Sequence, residues 1–187
     1  SEEGRLEKGP AFGTAFPAVT AQAEDWPTYR HDVARSGASK APLDGELKPV
    51  WETKLSGRLS SPIVIGKQLF IAQIDQHAIH SVSVENGQIE WTFFTGGRVD
   101  SPPSWFDGKL YFGSADGWIY CLRASDGELV WRYRGAFEDR RLLAFEQLES
   151  VWPIPGNVLV VNNVVHFAAG RSSFLDGGMR MFRLDAT

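Results

Sequence analysis

From Leu110 to Tyr133 the chain reads LYFGSADGWIYCLRASDGELVWRY, in which short apolar and aromatic runs are cut at close intervals by Asp-Gly pairs. Runs this short, rich in Tyr, Phe, Trp, Val and Ile and bounded by turn residues, predict β-strands. Four are expected in succession here, at 101–106, 109–115, 118–124 and 128–134. Asp107-Gly108 and Asp126-Gly127 then join the first strand to the second and the third to the fourth, and Asp116-Gly117 joins the middle two. Positive φ angles in tight hairpin turns favour this dipeptide. Asp-Gly pairs can also hold calcium or phosphate, but hairpin punctuation is the expectation.

The pattern recurs. Trp51, Trp91 and Trp131 are spaced 40 residues apart. With the tryptophans superimposed, SGRLSSP (56–62) falls on GGRVDSP (96–102), and VENGQIEW (84–91) falls on ASDGELVW (124–131). LFIAQID (69–75) matches LYFGSAD (110–116) with a slip of one residue. A stretched third copy carries VVHFAAG (164–170) and MFRLDAT (181–187). A period near 40 with four short strands is that of a β-propeller blade. The expected fold is therefore all-β, with blades of four antiparallel strands, about three of them present at about 60–95, 100–135 and 152–187. One blade cannot bury both of its faces alone, so each tryptophan is expected to wedge one blade against the next; an aromatic ligand platform is the alternative role for these rings.

The third copy has no fourth strand, and PVWETKL (49–55) reads as a fourth strand with no first three before it. An incomplete propeller leaves raw edges, so the expectation is a piece of a longer protein of seven or eight blades. Its implied partners are the missing blades of the same propeller or another subunit. Residues 1–24 read as a linker or processed terminal segment, and 25–187 as the repeats.

Composition narrows the function. The chain has 43% hydrophobic and 22% charged residues, which suits a globular protein. A net charge of −4 supplies no basic face for nucleic acid, and no apolar run is long enough for a transmembrane segment. Cys121 is the only cysteine, so an internal disulfide or cysteine-based metal cluster is excluded, and a buried inert thiol is expected.

Candidate chemistry lies in the loops. In a four-stranded blade, connections between blades share one face with the turns between second and third strands. Both long insertions, 136–152 and 170–178, fall on that face, where binding residues usually sit. The candidate ligand-binding set there is Arg58, His77, Arg98, Asp100, Trp118, Trp152, Arg171 and Asp176, with Asp75 nearby. Arg58 and Arg98 occupy equivalent positions and could hold an anion bidentately, or could cap loop carbonyls or pair with Asp100 or Asp116. Trp118 and Trp152 could stack on a sugar or quinone, or pack beneath the insertion. His77 and His80 are expected as exposed strand residues rather than metal ligands. EDRRLLAFEQLES (138–150) is read as a short helix with Leu142, Phe145 and Leu148 inward. Glu146 and Glu149 are candidate carboxylates without a paired nucleophile, so no catalytic residue is assigned.

The motifs ASDGELVW and VENGQIEW resemble the docking motif of pyrroloquinoline-quinone (PQQ)-type propeller repeats, found in quinoprotein dehydrogenases and in the BamB family. DWPTYRHDVARSG (25–37) is similar to the opening that precedes the first blade in many bacterial proteins of this type. The resemblance implies a periplasmic or extracellular bacterial protein and leaves two functions open. One is a non-catalytic scaffold binding a protein or glycan, with no cofactor in this stretch. The other is part of a PQQ-dependent dehydrogenase, with the quinone and Ca²⁺ on the propeller axis; the adjacent-cysteine disulfide of that family is absent here.

Overall fold

The computed structural model describes residues 4–16, 20–39, 42 and 45–186. It is built of antiparallel sheets. Strands β1 (Leu6–Lys8), β2 (Ile63–Ile65), β3 (Gln68–Gln73), β4 (Ala78–Ser83) and β5 (Ile89–Phe94) are followed by β6 (Ser104–Phe106), β7 (Lys109–Gly113), β8 (Trp118–Arg123) and β9 (Leu129–Arg134). Then come β10 (Arg141–Ala144), β11 (Gln147–Ser150), β12 (Leu159–Val161), β13 (Val164–Ala169) and β14 (Arg180–Asp185). Sheet 1 has the order β2-β3-β4-β5, sheet 2 β1-β9-β8-β7-β6, and sheet 3 β12-β13-β14, while β10 and β11 form a separate hairpin. Strands β6–β9 fall within the four ranges expected from the repeat. No described helix is long and apolar enough to cross a membrane.

Sheet 2 is covered on both faces, which explains why its strands read as unbroken apolar runs rather than alternating ones. Along β7 and β8 the period of two divides the side chains. Leu110, Phe112, Tyr120 and Leu122 join Ile63, Phe70 and Ile79 of sheet 1 in one core. Tyr111, Ile119 and Cys121 join Val165, Phe167 and Ala169 of sheet 3 in another. Strands β5 and β14 have sides open to solvent and alternate between exposed and half-buried positions.

The tryptophan repeat has a structural meaning at each position: Trp131 is buried in the core between sheets 2 and 3, and the other two share a defined docking contact. Trp91 at the outer strand of sheet 1 donates its indole N–H to Ala124 O of sheet 2 at 3.1 Å. Its ring lies on Gly127, where φ is +74° and a Cβ would stand 2.5 Å from the ring. Trp51 repeats both contacts one copy earlier, bonding Val84 O at 2.6 Å and lying on Gly87 at φ +72°. A glycine is required at both places for the left-handed backbone and for the room the indole takes. Sheets 1 and 2 even share a β-bulge at the same point, Ser81/Val82 and Cys121/Leu122. The Asp107-Gly108 turn has φ of 47° and 73°, the mirror-image hairpin geometry expected of it.

Three expectations are corrected. Residues 49–55 form no strand: Trp51 docks as expected, but among the described residues no neighbouring strand offers that segment a ladder. Residues 138–150 are not a helix but the β10–β11 hairpin, in which Leu142 is half-buried whereas Phe145 and Leu148 face solvent. Arg141 to Ala144 pair register by register with Ser150 to Gln147, and backbone pairing overrides the helical spacing of three apolar residues. Finally, residues 5–16 are no loose linker. β1 adds a fifth strand to β9, Ala11 is fully buried, and Arg5 donates to Arg134 O and Gly135 O.

The docking contact predicts a double-mutant cycle. Trp91→Ala should cost about 3–5 kcal/mol, and Gly127→Ala about 2–3 kcal/mol from overpacking and positive φ. Because ring and methyl compete for one space, the double variant should lose clearly less than the sum in urea denaturation. Gly156→Ala, at φ +76° with nothing within 4 Å, separates backbone strain from the clash.

Candidate functional site

The strand ends bring the predicted loops together. Ala115 N donates to Arg98 O, Ser150 N to Ala115 O and Thr95 N to His77 O, so the connections at 56–60, 75–77, 96–100, 116–118 and 136–152 form one laced surface. The third-sheet loop joins it through Trp152, whose indole N–H donates to Asp176 O at 2.7 Å.

The two arginines at equivalent positions have different surroundings. Arg58 is exposed and makes a bidentate pair with Asp75, at 2.9 and 2.7 Å. The arginine holds the Asp75 carboxyl below its ordinary range. Arg98 is only 12% exposed and lies between Asp100 and Glu149, the latter 4% exposed. Glu149 comes from β11, so this pair pins the inserted hairpin onto sheet 2. The Arg98 guanidinium also sits 4.2 Å over the Phe145 ring. Burial raises the Asp100 carboxyl above its usual value, against the opposing pull of Arg98.

Asp116 does not pair with either arginine. It closes the β7–β8 turn by accepting from Gly96 N at 2.9 Å, Trp118 N at 3.0 Å and the Tyr120 hydroxyl at 2.6 Å. Burial still pushes its pKa up, outweighing these hydrogen bonds.

The remaining candidates are likewise engaged. Asp176, at φ +54°, takes Arg171 at 2.7 Å and Arg140 at 3.1 Å. Trp152 is 5% exposed, edge-on to Phe137, and so packs beneath the insertion. Trp118 is half-buried with Arg132 4.4 Å over its ring. His77 corrects the expectation of an exposed strand residue: it is half-buried in the β3–β4 connection at φ +57°, and its Nε2 is 2.8 Å from Gln147 Oε1, which ties sheet 1 to the hairpin. His80 corrects the expectation of an exposed residue. It is 5% exposed, both ring nitrogens are hydrogen-bonded, to Thr92 and Gln73, and burial lowers its pKa. Burial likewise pushes the Cys121 thiol up to about 12, which leaves it protonated and inert at neutral pH.

The expected pairing of an arginine with Asp100 is found at Arg98, whereas the partners Asp75 of Arg58, Glu149 of Arg98 and Asp176 of Arg171 were not foreseen; all three arginines are committed to carboxylates of the same surface. The signal available was the excess of acids in the same loops, Asp75, Asp100, Glu149 and Asp176. Among the described residues, no group of three His, Cys, Asp or Glu could hold a metal ion.

Two outcomes follow from the charges. Glu149→Gln should cost about 2–3 kcal/mol in chemical denaturation, since it removes the more buried of the two carboxylates that offset a mostly buried guanidinium and leaves only Asp100, whereas Asp75→Asn at the exposed pair should barely register. Asp116 has a raised folded-state pKa, so its contribution is full below its unfolded value, ordinarily 3.8, and falls as pH rises through the folded value. The stability advantage of wild type over Asp116→Asn should therefore shrink as pH rises from below 3.8, followed by denaturation at each pH.

Comparison with solved structures returns the same architecture. A quinohemoprotein alcohol dehydrogenase from Pseudomonas putida HK5 superposes with a TM-score of 0.71 at 20% identity, over 88% of this chain and 25% of that one. The quinohemoprotein alcohol dehydrogenase from Comamonas testosteroni gives 0.68 at 20% identity, over 89% and 26%. BamB from Moraxella catarrhalis gives 0.57 at 20% identity, over 82% and 42%. At such identities the likeness is one of fold, and the chain spans a quarter to two-fifths of these proteins. Among proteins with curated descriptions none matches. Residues 43–176, well over half of the chain, match the family described as outer membrane protein assembly factor BamB, and the chain belongs to that family.

Proposed function

We propose that residues 25–187 are consecutive blades of a larger β-propeller in a periplasmic or extracellular bacterial protein. Within it they act as a non-catalytic scaffold whose loop face binds a protein. The observation that carries this reading is the β10–β11 hairpin. Its turn is Phe145-Glu146, with φ of 50° and 62°. Asn or Gly normally fills such positions, and a bulky ring there is strained by about 1–3 kcal/mol. The strain is not offset by burial, because Phe145 is 71% exposed. Leu143 and Leu148 beside it and Phe174 and Leu175 on the neighbouring insertion are exposed as well. Clustered apolar side chains on loops held rigidly by ion pairs suit a protein partner. A glycan would need an open aromatic platform, and the Trp118 and Trp152 rings are covered by Arg132 and by the insertion.

A second reading, that the whole protein is a quinone-dependent dehydrogenase, is favoured by the TM-scores of 0.71 and 0.68 against 0.57 for BamB. The residues described do not fit the cofactor. A quinone bearing carboxylates needs uncommitted cations, and Arg58, Arg98 and Arg171 are all paired; its Ca²⁺ needs a cluster of oxygen ligands, and no acidic cluster able to hold a metal is found among the described residues. In that reading the cofactor belongs to blades outside this segment, and the scaffold role of these blades is unchanged.

Two measurements test the proposal in the full-length protein. A photocrosslinker at Phe145 should give one discrete protein adduct in the native cell envelope, lost in Phe174→Asp, whereas one at Lys67 in the opposite-face hairpin should not. Equal adducts at both sites, or none at Phe145, overturn the binding face. Titration with PQQ and Ca²⁺ should be indifferent to Arg58→Ala and Asp100→Asn; loss of binding in these variants would move the cofactor onto this segment.

A further inference from the structure

At the end of the sheets opposite the loop face lies a cleft of about 610 Å³. Its walls are the first strands of sheets 2 and 3, β6 and β12, with the turn residues Asp107 and Asn162 at their ends. Its remaining side is residues 20–33, which the backbone holds in place. Trp26 pairs with Val64 of β2, Pro27 O accepts from Trp105 N, and Thr28 Oγ1 meets Ser104 Oγ at 2.9 Å. The N-terminal segment thus continues from the outer edge of sheet 2, where β1 lies, to the inner edges of sheets 1 and 2. The volume is that of a small-molecule site.

The lining has a charge pattern. Trp105, Leu159 and Val160 make an apolar wall, and Asp25, Asp32 and Asp107 contribute carboxyl groups, while no Lys or Arg is among the lining residues described. Asp25 is fixed by two backbone amides, Gln22 N and Gly66 N, each at 2.7 Å. Asp32 accepts from Ser36 N and Ser36 Oγ, and the Ser36 hydroxyl chiefly holds its pKa below the ordinary value, so it is ionised at neutral pH. His31 also lines the cleft. Its Nδ1 is enclosed without a hydrogen-bond partner, and Asp32 Oδ2 is 3.7 Å away. The residue is held at φ +77°, next to Arg30 at +58°.

We propose that this cleft binds an organic cation, an ammonium group carried on an aromatic or aliphatic body. The body lies against Trp105 and Val160, and the ammonium faces the carboxylates and the indole π-face. A polyanionic quinone is disfavoured by the same charges.

Three ligands sharing one indole body test the charge rule: tryptamine, its neutral alcohol tryptophol, and indole-3-acetate, titrated calorimetrically into the full-length protein. Tryptamine should bind most tightly and indole-3-acetate not at all. Asp32→Asn and Asp107→Asn should each weaken tryptamine by roughly fivefold, as for a partly solvated charge pair, and leave tryptophol unchanged. Ala23→Trp, at an exposed position of the N-terminal segment lining the cleft, should abolish all binding without lowering the melting temperature. Equal affinity for amine and acid, tryptamine binding that survives Ala23→Trp, or no binding by tryptamine overturns the proposal. Should Ala23→Trp fail to fold, the two aspartate variants decide alone.

Discussion

The structure depends on an indole ring lying on a glycine of the next sheet. A sheet of four short strands has two faces and too few residues to bury either alone. Trp91 bridges this gap for sheets 1 and 2 by filling the space over Gly127 and satisfying its N–H on Ala124 O. The contact sets translation and tilt together, because the ring must fit the hole left by a missing Cβ while its nitrogen reaches one carbonyl. Trp51 makes the same contact on Gly87 and Val84 O, with the same sequence separation of 33 between donor and acceptor. A repeat in sequence thereby becomes a repeat in space.

That constraint explains which parts of the fold were legible. Much that is local or periodic could be read, namely the Asp-Gly turns, the four strands β6 to β9, the docking tryptophans and the buried Cys121, although the strand expected around Trp51 does not form. Features decided by distant partners could not. Leu142, Phe145 and Leu148 have helical spacing, yet Glu149 closes on Arg98, 51 residues earlier, and the segment pairs with itself as a hairpin. Nothing in Leu6-Glu7-Lys8 announces a strand, because its reason is the open edge of β9 far along the chain. His80 looked like any polar strand residue, but its nitrogens are met by Gln73 and Thr92 on neighbouring strands. Residue types suggested a pair between Arg98 and Asp100, whereas the partners Asp75, Glu149 and Asp176 depend on contacts distant in sequence.

Pairing changes what the loop face can do. A surface of free arginines would draw anions from a distance, but Arg58 and Arg98 spend their charge on Asp75, Asp100 and Glu149. Their effect is mechanical. The Arg98 pair is largely shielded from water, where a charge left alone is costly, so the hairpin is held firmly at its base. Its tip, by contrast, carries Phe145 in a backbone conformation that bulky residues avoid. A stiff base under an exposed apolar tip suits the proposed contact role, because a loop already fixed would lose little freedom on binding.

The opposite end is built on the reverse principle. There the carboxylates of Asp25 and Asp32 are held by backbone amides and a serine rather than by cations, so their charge is not cancelled. The wall between those charges and the core is Trp105, which donates its backbone N–H to Pro27 of the N-terminal segment. The segment therefore does two things with one path: it covers polar strand edges of sheets 1 and 2, and it supplies the acidic side of the cleft. Displacing residues 20–33 would expose both at once. A ligand bridging Asp32 and β12 would tie the segment to sheet 3, which its backbone hydrogen bonds at 26 and 27 do not reach. Occupancy of the cleft and the hold of the N-terminal segment on the sheets are then thermodynamically linked, each strengthening the other.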